Sequence, residues 1–326
     1  MTRQLRRFIS VGLLTLAAIV AVVCLTATTV FIRSRWYGLN FFSRGAFVWT
    51  PVSSSDTRLS RSIRLALQDD SPVATPGPLI WTNRADGFDT AELGAFVGGE
   101  QVDRTLLARL DPEKYRFQIH SRPAGDRKLG DWMRVLDATL VVNGSYFDGK
   151  GRPATPLVSH GFASGPREYQ AINGAFVVSD DLVGLRDLHH ENWKDLFKTA
   201  RYALVSYPLL VAPEHYPVKS GARWLANRTF VGQDQSGLVI LGTTTDAFFS
   251  LERFARFLSE APLDLVLALN LDGGPVACQG ISIAGYSRDF CGEWELNDEG
   301  GKLRVLSSMI GQRRVGLPIV LAAFPR

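Results

Sequence analysis

Acidic residues are absent from the first 35 positions, and the chain of 326 residues holds only three cysteines, three methionines and five histidines. No P-loop, GxSxG, HExxH or CxxC stretch occurs, which sets aside the chemistries those motifs serve. The only histidine cluster is "HHENW" at His189 to Trp193. Adjacent side chains point to opposite faces of a strand, or lie about 100° apart on a helix. The pair therefore reads as a solvated loop, and no metal or cofactor is expected. No internal repeat, low-complexity tract or basic stripe appears. A pI near 9.0 and a net charge of +4 come from Arg3, Arg6, Arg7, Arg33 and Arg35. Setting those five aside leaves 31 basic residues against 32 acidic ones. A neutral body excludes a nucleic-acid partner.

The acid-free start is apolar instead. From Phe8 to Ile32 no side chain ionises except the thiol of Cys24. At about 1.5 Å per residue such a helix crosses a hydrocarbon core of roughly 30 Å. An uncleaved membrane anchor is expected over 8–32, with a cleaved signal peptide as the other reading, although "CLTATTVF" offers a poor small-x-small site. Three arginines before the span against two after it tilt the orientation toward an inside N-terminus. Trp36 and Tyr37 suit the membrane interface. Ser, Pro and Asp then dominate "TPVSSSDTRLSRS" and "DDSPVATPGP". The expected organisation is an anchor over 1–35, a juxtamembrane linker over 36–75 interrupted by a short helix at "RSIRLALQ", and a body over 76–326 outside the cytoplasm, periplasmic or extracytoplasmic. Cys278 and Cys291 are spaced to form a disulfide worth about 3 kcal/mol, or remain two buried thiols.

Within the body, "RFQIHS", "ATLVVNGSYF", "GAFVVSDD", "ALVSYPLLVA", "GLVILGTTT" and "LVLALNL" read as strands, several apolar enough to be buried on both faces. The clearest helix is "FSLERFARFLSEAP". Ser250 is its N-cap and Phe249 and Phe254 its hydrophobic staple. Strand, helix and strand there are consistent with a right-handed crossover onto a parallel neighbour. The expected fold is α+β, a single mixed-sheet domain with short helices, preceded by a transmembrane helix.

Three apolar strands end on polar groups. "VVNGSYFDGKG" ends on Asn143 and brings Tyr146. "ANRTFVGQDQSGLVILGTTTD" carries Arg228, Thr229 and Asp246. "ALNLDGG" carries Asn270, Asp272, Gly273 and Gly274. Taken singly, Asn-Gly and Asp-Gly are turn dipeptides and an arginine is a surface residue. Their ordered set, with "LLARLDPEKYRFQIHS" upstream, resembles the phosphodiester glycosidase family over most of the body.

The resemblance implies hydrolysis of a sugar-1-phosphodiester at the anomeric carbon, in a polysaccharide, teichoic-acid-like or glycolipid substrate. A phosphomonoester leaves readily at neutral pH, so the site must hold charge and stabilise an oxocarbenium-like centre. Arg228 is then the phosphate clamp, assisted by Thr229, and Asp272 the nucleophile, base or cation stabiliser, with Asp246 as a second carboxylate. Asn143, Asn270 and Tyr146 would contact the sugar, and Gly273 and Gly274 would let it approach backbone N–H groups. Pro275 stands where the family carries a third glycine. It removes an N–H, which keeps open a non-catalytic carbohydrate-binding or assembly role on the same fold.

Overall fold

The computed structural model describes residues 15–28, 47–51, 53–54, 57, 59–68, 73–170, 173–214, 216–218, 223–299, 302–308 and 315–326. Residues 15–28 form a helix with every side chain exposed. Among the described residues no helix is long and apolar enough to cross a membrane. The flanks of the expected span, 8–14 and 29–32, lie outside the described residues, as do Trp36 and Tyr37.

Part of the segment read as a linker is built into the body. Ser60 caps the short helix Arg61–Ala66, its hydroxyl accepting from the Ile63 amide. Leu59, Ile63, Ala66 and Leu67 are buried in a core that also holds Phe230, Phe248, Phe249, Phe254 and Phe257. The apolar spacing of "LSRSIRLAL" is what buries it, outweighing a Ser-rich composition.

Strands dominate the body, with short helices at its surface. Every described strand pair is antiparallel, so helix and strand are mixed but parallel neighbours are not. In the largest sheet, Leu209–Val211, Leu265–Asn270, Thr229–Asp234, Val239–Thr244, Glu100–Leu110, Phe88–Val97 and Thr75–Pro76 follow one another, with Thr82–Ala85 beside Phe88–Val97. The expected crossover therefore differs in one respect. The strands Val239–Thr244 and Leu265–Asn270 run in the same direction, but Thr229–Asp234 lies between them and pairs with both. The hairpin forms locally through the Asp234–Gly237 turn and occupies the place a parallel neighbour would need.

The connecting helix Leu251–Glu260 is capped as its sequence requires. The Ser250 hydroxyl accepts from the Arg253 amide, and the Phe249 and Phe254 rings lie 5.2 Å apart. A second sheet runs Tyr286–Cys291, Cys278–Ile283, Leu140–Asn143, Ile319–Pro325, Tyr115–Ser121. Cys278 and Cys291 face each other in its register and are joined by a disulfide. In a third sheet, Trp224–Ala226 pairs with Glu295–Glu299. One end of each of these three sheets contributes to the same cleft.

Candidate active site

The strand Leu265–Asn270 stops at Asn270 because the chain must then turn through Gly274, which has φ of +66°. A Cβ at 274 would also meet the Glu295 carboxylate at 2.6 Å. Pro275 follows inside a 3-10 turn, Gly274–Val276, where a missing N–H costs little. Two buried asparagines fix this loop. Asn143 donates to the Asp272 carbonyl (2.7 Å) and accepts from the Cys278 amide (3.0 Å), holding both ends. Asn270 donates to the Tyr146 hydroxyl (2.6 Å) and to the carbonyls of Tyr207 (3.2 Å) and Leu271 (2.6 Å). Tyr146 in turn donates to the Tyr207 carbonyl and stacks on the Tyr207 ring.

A cleft of about 340 Å³ opens beside this loop, and Tyr146, Asp272 and Gly273 line it. So do Trp224 and Glu295, which the sequence reading had not singled out. The Trp224 indole donates to Glu295 Oε1 at 2.9 Å. Arg228 is buried behind the floor, donating to the carbonyls of Phe249 (3.2 Å) and Trp224 (2.8 Å). Its remaining nitrogen, Nη1, would be 3.7 Å from a Cβ on Gly273. With only hydrogen at 273, the guanidinium charge is separated from the cleft by bare backbone.

Asn227 holds these parts together and was also missed. It is fully buried, and its side chain donates to the carbonyls of Thr244 and Asp246 while accepting from the amides of Glu293 and Trp294. Its own carbonyl accepts from the Gly274 amide at 2.8 Å. One residue therefore ties the glycine turn, the end of the strand Val239–Thr244 and the segment delivering Glu295. Its adjacency to Arg228 in "ANRTF" is the only sequence signal for it.

The electrostatics follow from crowding half-buried carboxylates beside a buried guanidinium. Burial, and next the Glu295 carboxylate, push Asp272 up to about 8, against the opposing pull of the Gly273 amide and Arg228. Burial likewise raises Glu295, while the Trp224 indole and Arg228 hold it down. Tyr146 is raised by burial and then by Asp272. Burial lowers the Arg228 guanidinium, and the surrounding Tyr146, Glu295 and Asp272 oppose that. Asp272 thereby keeps its proton near neutral pH, the state a general acid needs, with a second carboxyl group beside it.

Not every expected residue reaches the cleft. Asp246 is held by the Ser60 hydroxyl (3.0 Å) and the Ala247 amide (2.7 Å), and it does not line the cleft. Thr229 is fully buried in its strand, with Thr243 as its hydroxyl neighbour. Asn143 spends its whole amide group, and Asn270 its NH2, on the protein, and neither lines the cleft. The glycine amides are also occupied: Gly273 N–H donates to Asp272 Oδ1 (2.8 Å) and Gly274 N–H to Asn227. Pro275 also lines the cleft and has no N–H to offer it. Among the described residues no group of three or more metal-ligating side chains is gathered.

Residues 137–278 match the family model of the phosphodiester glycosidases. A comparison with curated protein sequences finds no match. Among solved structures, a protein from Synechocystis is 14% identical with a TM-score of 0.48, over 77% of this chain and 64% of that one. The zebrafish N-acetylglucosamine-1-phosphodiester alpha-N-acetylglucosaminidase catalytic domain, auto-inhibited by its pro-peptide, is 16% identical with a TM-score of 0.48, over 86% and 89% of the two chains. The matched segment holds Asn143, Tyr146, Arg228 and Asp272, while Glu295 lies beyond it. The family found by this match is the one the sequence motifs resemble, and the enzyme class that goes with it is phosphodiester glycosidase.

Proposed function

We propose that this protein hydrolyses a sugar-1-phosphodiester between the anomeric carbon and the phosphate oxygen. The observation carrying this reading is the pairing of Asp272 with Glu295 in one cleft above the buried Arg228. Protonated Asp272 gives its proton to the departing phosphate oxygen as the C–O bond breaks. Glu295, as the base, faces the oxocarbenium-like centre and takes a proton from the attacking water, whose oxygen bonds to the anomeric carbon. Arg228 supplies positive charge beneath the phosphate.

The same reading places the body outside the cytoplasm and tethers it by the N-terminal apolar segment. The Cys278–Cys291 disulfide supports an oxidising compartment. The helix over 15–28, with no buried side chain, supports a lipid rather than a protein environment for that segment. The substrate is then an envelope polysaccharide or glycoconjugate.

The test uses the full chain in detergent with the methyl diester of N-acetylglucosamine 1-phosphate, following products by phosphorus NMR. Methyl phosphate should appear, and Asp272→Asn and Glu295→Gln should each slow it at least ~100-fold. Release of sugar 1-phosphate instead would mean phosphorus–oxygen cleavage and sink the glycosidase reading. Binding of the diester without turnover would favour the carbohydrate-binding role.

A further inference from the structure

The cleft lining has two unlike parts. Asp272, Glu295 and the Trp224 indole interact with one another. The other part is built from the loops around 123–125, 147–151 and 315–318. These loops are in close contact: a Cβ on Gly151 would strike the Pro123 carbonyl, and one on Gly316 the Gly125 carbonyl. Between and along them the cleft is faced by Pro123, Phe147, Val276, Val315 and Pro318.

Among the described residues this part of the lining is mostly apolar and offers few free partners to a hydroxyl-rich ligand. The amides of Gly125 and Gly151 are donated to the carbonyls of Arg122 and Asp148. The one carboxylate there, Asp148, is engaged by Arg152 at 2.8 Å and by the amides of Lys150 and Arg152. A glycan arm placed along it would lose water without gaining partners.

We infer that the apolar part of the cleft receives the alcohol side of the phosphodiester and that this alcohol is a hydrocarbon chain, making the substrate a lipid-linked sugar phosphate. The inference rests on the glycosidase reading above, which puts the phosphate beside Asp272 and Glu295 and sends its second ester along the remaining cleft. The exposed apolar helix over 15–28 fits an enzyme that meets its substrate at a lipid surface. The reaction consuming such a substrate frees a sugar and leaves a lipid phosphate, which demands an upstream transfer of a glycosyl-phosphate onto a lipid alcohol or of a glycosyl group onto a lipid phosphate.

Three diesters of N-acetylglucosamine 1-phosphate decide it: methyl, octyl, and a triethylene glycol arm of similar length, each assayed on the full chain below its micelle-forming concentration. Each methylene that finds apolar wall lowers KM about three- to fourfold, so the octyl diester should exceed the methyl one at least tenfold in kcat/KM, and the glycol arm should gain little. In Val315→Asn the octyl-to-methyl ratio should fall severalfold, and because the ratio is taken within one preparation, partial unfolding cancels. Equal kcat/KM for all three, or preference for the glycol arm, overturns this inference while leaving the glycosidase reading intact. No turnover of any diester overturns that reading, and the inference falls with it.

Discussion

Replacing Asp272 with asparagine should change how stability depends on pH. In the unfolded chain this carboxyl ionises near 3.8, whereas in the fold it keeps its proton to about 8. Between those values the folded state binds one more proton than the unfolded state. Raising the pH therefore favours unfolding, by up to about 1.4 kcal/mol per pH unit. The stabilisation is complete below the ordinary pKa and is lost as pH rises through the folded one. Asparagine has no proton to lose and keeps a carbonyl oxygen for the Gly273 amide. The wild-type chain should thus lose about 4 kcal/mol relative to Asp272→Asn between pH 5 and pH 8, then run parallel to it above pH 9. Adding Glu295→Gln removes the second cause of the shift, so the dependence should end at lower pH while burial keeps it well above 3.8. Urea unfolding of the full chain with its disulfide intact, repeated from pH 5 to pH 9, reads this directly. Parallel curves for wild type and Asp272→Asn across pH 5 to 8 would mean that Asp272 is ionised in the fold, and its role as proton donor would be refuted.

Trp224→Phe keeps a ring but deletes the donor to Glu295, so Glu295 should titrate at higher pH and the acid limb of the kcat/KM profile should move upward; superimposable profiles would remove the indole from the mechanism. Gly274→Ala combines a φ of +66° with a Cβ 2.6 Å from Glu295 Oε2. It should cost about 1–3 kcal/mol of stability and a larger share of turnover, checked by denaturation beside steady-state kinetics. Arg228→Lys cannot reproduce the forked bonds to the Phe249 and Trp224 carbonyls. Stability should drop by about 2–4 kcal/mol, and turnover of the methyl diester should fall at least ~100-fold, whereas an unchanged rate would separate the guanidinium from the phosphate.

Local patterning determined a good part of this molecule before any contact was known. Alternation and apolar runs gave the strands, and Ser250 with Phe249 and Phe254 gave the capped helix Leu251–Glu260. The polar ends of three strands singled out Asn143, Arg228 and Asp272 as candidates. Such signals act within a few residues, through backbone dihedrals, caps and periodicity, so a linear reading can find them. The tertiary structure decided everything that depends on which strand lies beside which. Glu295 becomes the partner of Asp272 because its strand pairs Ala226 with Glu295, across nearly seventy positions, while the nearer Asp246 is turned toward Ser60. Thr229–Asp234 displaces the expected parallel neighbour for the same reason. The proton held on Asp272 is a property of neither residue type nor spacing. It arises from drawing two carboxylates partly out of water side by side, and only the assembled sheets do that.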